Sequence, residues 1–320
     1  MRCLALAQAW QGASGRAVFA IAEAPATLKQ RLASEGFEVA GISETPGEIE
    51  DAKATVRVAR QLRSSWLVVD GDRFGVGFLE HLRSCAMRTL LIDDFAKRES
   101  FPVDLILNLN LGASEAPYRK RGADVELLLG ESYALLRREF TSGSETRSFP
   151  EKGNRILVTL GGSDPENLAP KVAGSLARNP DYKIKIITGP AHDHPGELLK
   201  FGFSNVRVEF NPSNMSTEMA EADLAIVVAG GTLWELLYMG CVVLSYSRNS
   251  VQAQIVEDLE RKGAVRNLGA VNDFHDSKLA EVVEEVGRSK QLRQQMAVIG
   301  RQIIDGAGAE RVLHHLRGHG

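Results

Sequence analysis

A chain of 320 residues suits two domains of ordinary size better than one. Its composition, 44% hydrophobic and 25% charged, excludes a disordered or fibrous protein, and a net charge of -3 gives no electrostatic basis for a nucleic-acid or anionic-membrane partner. The three cysteines, Cys3, Cys85 and Cys241, are scattered without metal or disulfide spacing, which fits a reducing, cytoplasmic compartment.

No stretch has the apolar length needed to span a bilayer. The opening segment, Met1 to Gln11, carries Leu4, Ala5, Leu6 and Ala7 but is interrupted by Gln8, and it reads as a helix of the mature protein rather than a signal peptide. Strands are predicted at 17–22, 36–39, 66–70, 88–94 and 103–108, with helices at 26–35, 48–64 and 76–86 between them. Residues 142–153 are polar and carry little to bury, so they form the linker. We place the boundary between domains 1–146 and 147–320. Beyond it, strands are predicted at 155–160, 182–188, 206–210, 223–229 and 241–246, and helices at 165–176, 215–222, 232–239 and 251–262. A helical tail over 276–316 is interrupted near 305–308. This alternation implies right-handed crossovers and parallel sheets, an α/β chain with two Rossmann-like domains.

Ligands of open α/β sheets bind beyond the C-terminal strand ends, so the residues there carry the functional argument. Gly161-Gly162-Ser163-Asp164 follows one strand, with Pro165 expected in the first helical turn. Glycines let backbone N–H groups approach an anion, and a helix N-terminus favours negative charge. A tight turn capped by Asp164 explains the same residues. Ala229-Gly230-Gly231-Thr232 follows another strand and makes a candidate diphosphate cradle, with Glu235 placed to accept from ribose hydroxyls. An acid there also suits the helix dipole. Asp70-Gly71-Asp72-Arg73-Phe74 and Asp93-Asp94 end two strands of the first half. Adjacent carboxylates point to opposite faces, so the Asp93-Asp94 pair reads as capping rather than as an acid/base dyad. His192 and His194 read as a surface loop. No other histidine follows a strand of the first half, and no catalytic triad is legible. No metal cluster or cofactor motif is present, and none is expected.

The run Gly130-Glu131-Ser132-Tyr133-Ala134-Leu135-Leu136-Arg137-Arg138-Glu139-Phe140 resembles the G-x-x-Y-A-L-L-R-x-E-F signature of the UDP-2,4-diacetamido-2,4,6-trideoxy-β-L-altropyranose hydrolases of pseudaminic acid biosynthesis. Relatives of that family act in spore-coat polysaccharide synthesis. Asp93-Asp94, the run from Asp104 to Asn110, the run from Gly161 to Leu168, Ala229 to Leu236 and Asp305 to Val312 match in order, so the resemblance covers essentially the whole chain. It implies a GT-B arrangement of the two domains and an inverting hydrolysis that releases UDP and a free diacetamido sugar. It also implies a UDP-sugar as the partner molecule, with Gly161, Gly162, Ser163, Gly230, Gly231, Thr232 and Glu235 holding UDP. Asp70, Phe74, Asp94, Asn110 and Tyr133 fall on the sugar side. A UDP-sugar-dependent GT-B glycosyltransferase shares the UDP half of this reading, and a catalytically impaired UDP-sugar-binding protein is the third.

The sequence departs from the family on the sugar side. Many relatives have Asp-Gly-Tyr-His-Phe where this chain has Asp70-Gly71-Asp72-Arg73-Phe74. Lys97 stands where relatives often have His, and Leu109 stands between two asparagines where they often have Gln. A Rossmann domain opens on a strand, whereas this chain opens on a helix. By the resemblance, Met1 to Ala7 matches the stretch after an I-G-x-G-H loop whose His is the proposed general base. The N-terminal domain is therefore expected to lack its first strand and to show a break where its central strand belongs. The base is expected upstream of Met1, with Asp70 and Asp72 as fallback candidates.

Overall fold

The structure, a computed structural model, describes residues 1–22, 24–143, 147–189, 202–212 and 214–318. The chain divides into two compact units, Met1–Arg137 with Ala307–Gly320, and Arg138–Gly306.

The first unit contains α1 (Arg2–Gly12), β1 (Val18–Ile21), α2 (Ala26–Ser34), β2 (Glu38–Gly41), α3 (Ile49–Gln61), β3 (Leu67–Asp70), α4 (Val76–Ser84), β4 (Thr89–Ile92), β5 (Leu105–Asn108) and β6 (Glu126–Leu129). Its strands form two separate parallel sheets, β1-β2 and β3-β4-β5-β6. Among the described residues no strand pairs the β1-β2 sheet with the β3-β4-β5-β6 sheet, so the unit shows a break between the two. The central strands β4 and β5 are buried throughout, as parallel strands covered on both faces should be. By contrast, β3 leaves Val68 38% exposed and β1 leaves Ala20 exposed. The larger core packs Val69, Phe78, Leu79, Leu82, Leu91 and Ile106 together. A smaller one joins Leu4 and Ala7 of α1 to Leu32 and Phe37, with Phe19 and Val39 against it.

The last helix, here α12 (Gly308–Gly318), belongs with this first unit rather than with the second domain of the expected 147–320 division. Its start touches the backbone of Tyr133 and Ala134 so closely that a Cβ at Gly308 would lie 2.2 Å from the Ala134 carbonyl oxygen. Near its end, Trp66 donates its indole N–H to the Leu316 carbonyl.

The second unit contains α5 (Arg138–Thr141), β7 (Arg155–Thr159), α6 (Leu168–Leu176), β8 (Lys183–Thr188), β9 (Val206–Phe210), α7 (Met215–Glu221), β10 (Leu224–Val228), α8 (Gly231–Tyr238), β11 (Val243–Ser247), α9 (Ser250–Arg261), β12 (Val265–Ala270), α10 (Asp276–Arg288) and α11 (Lys290–Ile303). The unit starts earlier than residue 147 for a local reason. Phe140 is buried, α5 packs on α7, and Arg147 donates to the carbonyls of Met219 and Ala222. One six-stranded parallel sheet runs β12-β11-β10-β7-β8-β9. The chain steps outward from β7 through β8 to β9, then restarts at β10 on the other side of β7 and steps out through β11 to β12. The reversal, the topological switch point of a doubly wound sheet, lies between β7 and β10. Arg293, fully buried, ties α11 to the linker by donating to the carbonyls of Val286 and Pro150.

Candidate functional site

The two glycine loops singled out in the sequence follow the two strands that flank the switch point. After β7, Gly161 has φ +94 and Gly162 is exposed. The helix expected from Pro165 begins instead at Leu168, because Asp164 and Asn167 both take left-handed backbone angles and make a further turn. Asp164 still caps it. Its buried carboxylate accepts from the amides of Leu168 at 3.1 Å and Ala169 at 2.9 Å. A Cβ on Gly189, just past β8, would lie 2.6 Å from the Gly162 Cα, so only glycine lets these two loops touch. The adjoining Thr188 hydroxyl is buried and has no hydrogen-bond partner among the described residues.

After β10, Gly230 is extended and α8 begins at Gly231 with no side-chain cap. The first amides of a helix have no intrahelical acceptor. Among the described residues those of Gly231 and Thr232 also have no side-chain cap, and, the adjoining chain aside, no heavy atom of them lies within 4 Å of a Cβ built on Gly162 or Gly231. Backbone donors, a helix N-terminus and room for an approaching group are the elements of an anion cradle. Glu235 does not sit in the first turn of α8, as the sequence suggested. It is one turn further along and 7% exposed, enclosed with Leu233, Trp234 and Leu236.

A third loop, after β11, brings a residue that the sequence reading missed. Arg248 reaches across β10 to the β7 loop. Its Nε donates to Glu166 at 2.8 Å and its Nη2 to the Leu160 carbonyl at 3.0 Å. The strand-end rule applied to β11 was the signal that could have found it.

The first unit carries a cavity of about 420 Å³ lined by Arg2, Asp70, Gly71, Asp72, Arg73, Phe74, Asp94 and Phe95. Arg2, in the first turn of α1, bridges two strand ends. Its Nη2 donates to Asp70 at 2.7 Å and its Nη1 to Asp94 at 2.7 Å. Burial disfavours the Arg2 charge, but the two carboxylates outweigh it and raise the group above its ordinary value. The Cys3 thiol, also beside Asp70, is pushed up to about 12 by burial and then by that carboxylate, so it stays protonated at neutral pH. Asp72 makes no hydrogen bond or ion pair among the described residues.

Behind the cavity, Asp93 and Asp94 diverge as the strand geometry requires. Asp93 is buried. It accepts from Arg98, from the Tyr118 hydroxyl at 3.0 Å and from the Ala96 amide at 2.8 Å. Burial and then the Asp93 charge raise Tyr118 above the ordinary phenol value. Arg98 also donates to the carbonyls of Gly71 and Phe74 and so fixes the cavity loop. The structure thus gathers Asp70, Asp72, Phe74 and Asp94. Asn110 stands one bond behind, donating to the Asp94 carbonyl. Tyr133 is not brought there. It lies in a 3-10 turn with its ring 6.2 Å from that of His315 on α12. Arg2 and Arg98 were not foreseen either. His192 and His194 lie outside the described residues, and among the described ones no cluster of three His, Cys, Asp or Glu could hold a metal ion. No described helix is long and apolar enough to cross a membrane.

These features define a class. Residues 155–304 match the family profile of the glycosyltransferase family 28 C-terminal domain, and the whole chain has a two-domain α/β fold of the GT-B type. Among solved structures it is similar to a UDP-GlcNAc 2-epimerase from Neisseria meningitidis bound to UDP-GlcNAc, with a TM-score of 0.69, 13% identity, and 99% of this chain and 98% of that one covered. It is similar in sequence to the spore coat polysaccharide biosynthesis protein SpsG of Bacillus subtilis, 29% identical over 57% of this chain and 56% of that protein. It is also similar to the uncharacterized protein MJ1062 of Methanocaldococcus jannaschii, 24% identical over 86% of this chain and 61% of that protein. The chain therefore spans less than two thirds of either of these relatives.

Proposed function

We propose that this protein binds a UDP-sugar and hydrolyses it, releasing UDP and a free diacetamido-trideoxy sugar for a pseudaminic-acid-type or other surface polysaccharide. The observation that carries the nucleotide half is the pairing of glycine loops with the switch point between β7 and β10. Gly161, Gly162, Ser163, Gly230, Gly231 and Thr232 take the diphosphate, and Glu235 the ribose. Support for the chemistry comes from the likeness to a spore coat polysaccharide protein and from the Tyr-Ala-Leu-Leu-Arg signature.

Within the first unit, the cavity offers the sugar-side groups. Asp70 is occupied by Arg2, whereas Asp72 lines the same cavity without a hydrogen-bond or ion-pair partner among the described residues, so its carboxylate is the better placed there to take a proton from water. A second reading, transfer of the sugar to an acceptor other than water, is favoured by the match of residues 155–304 to a glycosyltransferase domain.

Incubation with a UDP-diacetamido-trideoxy sugar, followed by product analysis with and without candidate acceptors, separates the readings. Free sugar and UDP without an acceptor support hydrolysis, and UDP release only with an acceptor supports transfer. UDP binding without release from any UDP-sugar leaves a binding protein.

A further inference from the structure

We propose that Arg248 is a diphosphate-binding residue whose Nη1 edge donates to the anion held by the β7 and β10 loops. The inference rests on the nucleotide reading above and adds a residue that no glycine motif reveals.

Three observations carry it. First, Arg248 stands at the C-terminal end of β11, next in the sheet to β10, which itself pairs with β7. Its side chain turns back across β10 and brings the guanidinium, ion-paired with Glu166, beside the switch point. Second, its orientation is fixed. Nε is engaged by Glu166 at 2.8 Å and Nη2 by the Leu160 carbonyl at 3.0 Å, while the backbone amide of Arg248 donates to Gln252 Oε1 at 2.7 Å. Asp164 stands 3.8 Å from Nη2, but its oxygens serve the amides of α6. Third, one edge of the guanidinium is left over. Nη1 has no partner among the described residues, and it lies 3.5 Å from the position a Cβ on Gly161 would take. The unused donors therefore sit over the glycine whose left-handed backbone and missing side chain open the loop.

A guanidinium presents donors in a rigid fork, so fixing two positions aims the third. The neighbouring Gly162 and Gly231 leave open space where a ligand oxygen would approach. Arg248 then supplies a charge-assisted donor that backbone amides and a helix dipole alone do not. Glu166 is the positioning residue that orients it.

The test is calorimetric titration of the full chain and of Arg248→Met and Arg248→Lys with three probes, UDP, uridine and inorganic pyrophosphate, after circular dichroism has shown each variant folded. Loss of a charge-assisted hydrogen bond to phosphate predicts that Arg248→Met weakens UDP and pyrophosphate about tenfold or more while uridine changes by less than about twofold. Arg248→Lys, which keeps the charge but loses the fork, falls between. Equal weakening of uridine and UDP would show a mere brace between the loops and overturn the proposal, as would unchanged UDP affinity. If the unaltered chain binds pyrophosphate through Arg248 but gains nothing from the uridine part, the contact stands and the UDP reading fails. If it binds none of the probes, both fail.

Discussion

The two units are built from the same alternation of strand and helix, yet only the second closes a continuous sheet. In the second, β7 occupies the central place, its neighbours β8 and β10 run outward from it, and its C-terminal end carries the Gly161 loop. In the first, β1-β2 and β3-β4-β5-β6 correspond to the two flanks, and no described strand joins them. What spans the break is helix α1. Leu4 and Ala7 pack on the β1-β2 side, while Arg2 clamps Asp70 and Asp94 at the ends of the other sheet. A central parallel strand satisfies its backbone on both sides. At the strand ends of the first unit, side-chain networks join the segments, Arg2 with two aspartates and Asp93 with Arg98 and Tyr118.

This contrast can be broken most sharply at Asp93. Asp93→Ala leaves Arg98 and Tyr118 without their buried partner, a loss on the order of 3–5 kcal/mol. Amide exchange in urea should show β4 opening at lower denaturant while β10 keeps its protection. Loss of protection in both would show that the units do not differ in this way.

At the other unit, Glu235→Ala should weaken UDP binding by roughly 1–3 kcal/mol without altering exchange in β4. Unchanged affinity in a titration would remove Glu235 from the site.

Asp223 supplies a pH test confined to the second unit. Burial alone would raise this carboxylate, but donation from Arg155 and from the backbone amides of Asn154 and Arg155 wins, and the net shift is downward. A lowered folded-state value stabilises the fold at any pH above the ordinary carboxylate range of about 3.9, and the gain is lost as pH falls through the folded value. Asp223→Asn should therefore cost about 1–3 kcal/mol at neutral pH. The gap between variant and parent in urea midpoints should shrink on acidification toward about pH 3. A gap independent of pH would contradict the charged role.

The smallest effect needs no mutation. Leu67 donates to the Arg88 carbonyl, so Val68, the next residue, turns its amide to the open edge of β3. That amide should exchange faster than those of Ile226 and Val227 in β10. Equal protection would mean that the edge is covered.

Much of this was legible in the residues because buried parallel strands announce themselves. Leu90-Leu91-Ile92 and Leu224 to Val228 are continuous apolar runs and were placed correctly. The edge strands β6 and β12 were not recognised. Glu126 splits Val125 from a run of only three leucines, Leu127 to Leu129, in the first, and Arg266, Asn267 and Gly269 interrupt the second, so neither carries a pattern long enough to read as a strand. The glycine loops were found from their strand-end positions. The start of α6 was misplaced because Pro165 suggested a first helical turn, whereas two left-handed residues, Asp164 and Asn167, delay it. Arg2 and Arg248 act through partners far apart in the chain, Arg98 ties the nearby Asp93 to the distant carbonyls of Gly71 and Phe74, and a single arginine gives no local sign of such pairing.

The central claim is that the second unit carries the nucleotide site at its switch point. Backbone amide resonances followed during titration of residues 1–320 with UDP test it most directly. The account predicts saturable shifts at Gly161, Gly162, Gly230, Gly231 and Thr232, with β12 unmoved. Shifts absent from both glycine loops, or confined to the Asp70 to Phe74 loop, would contradict it.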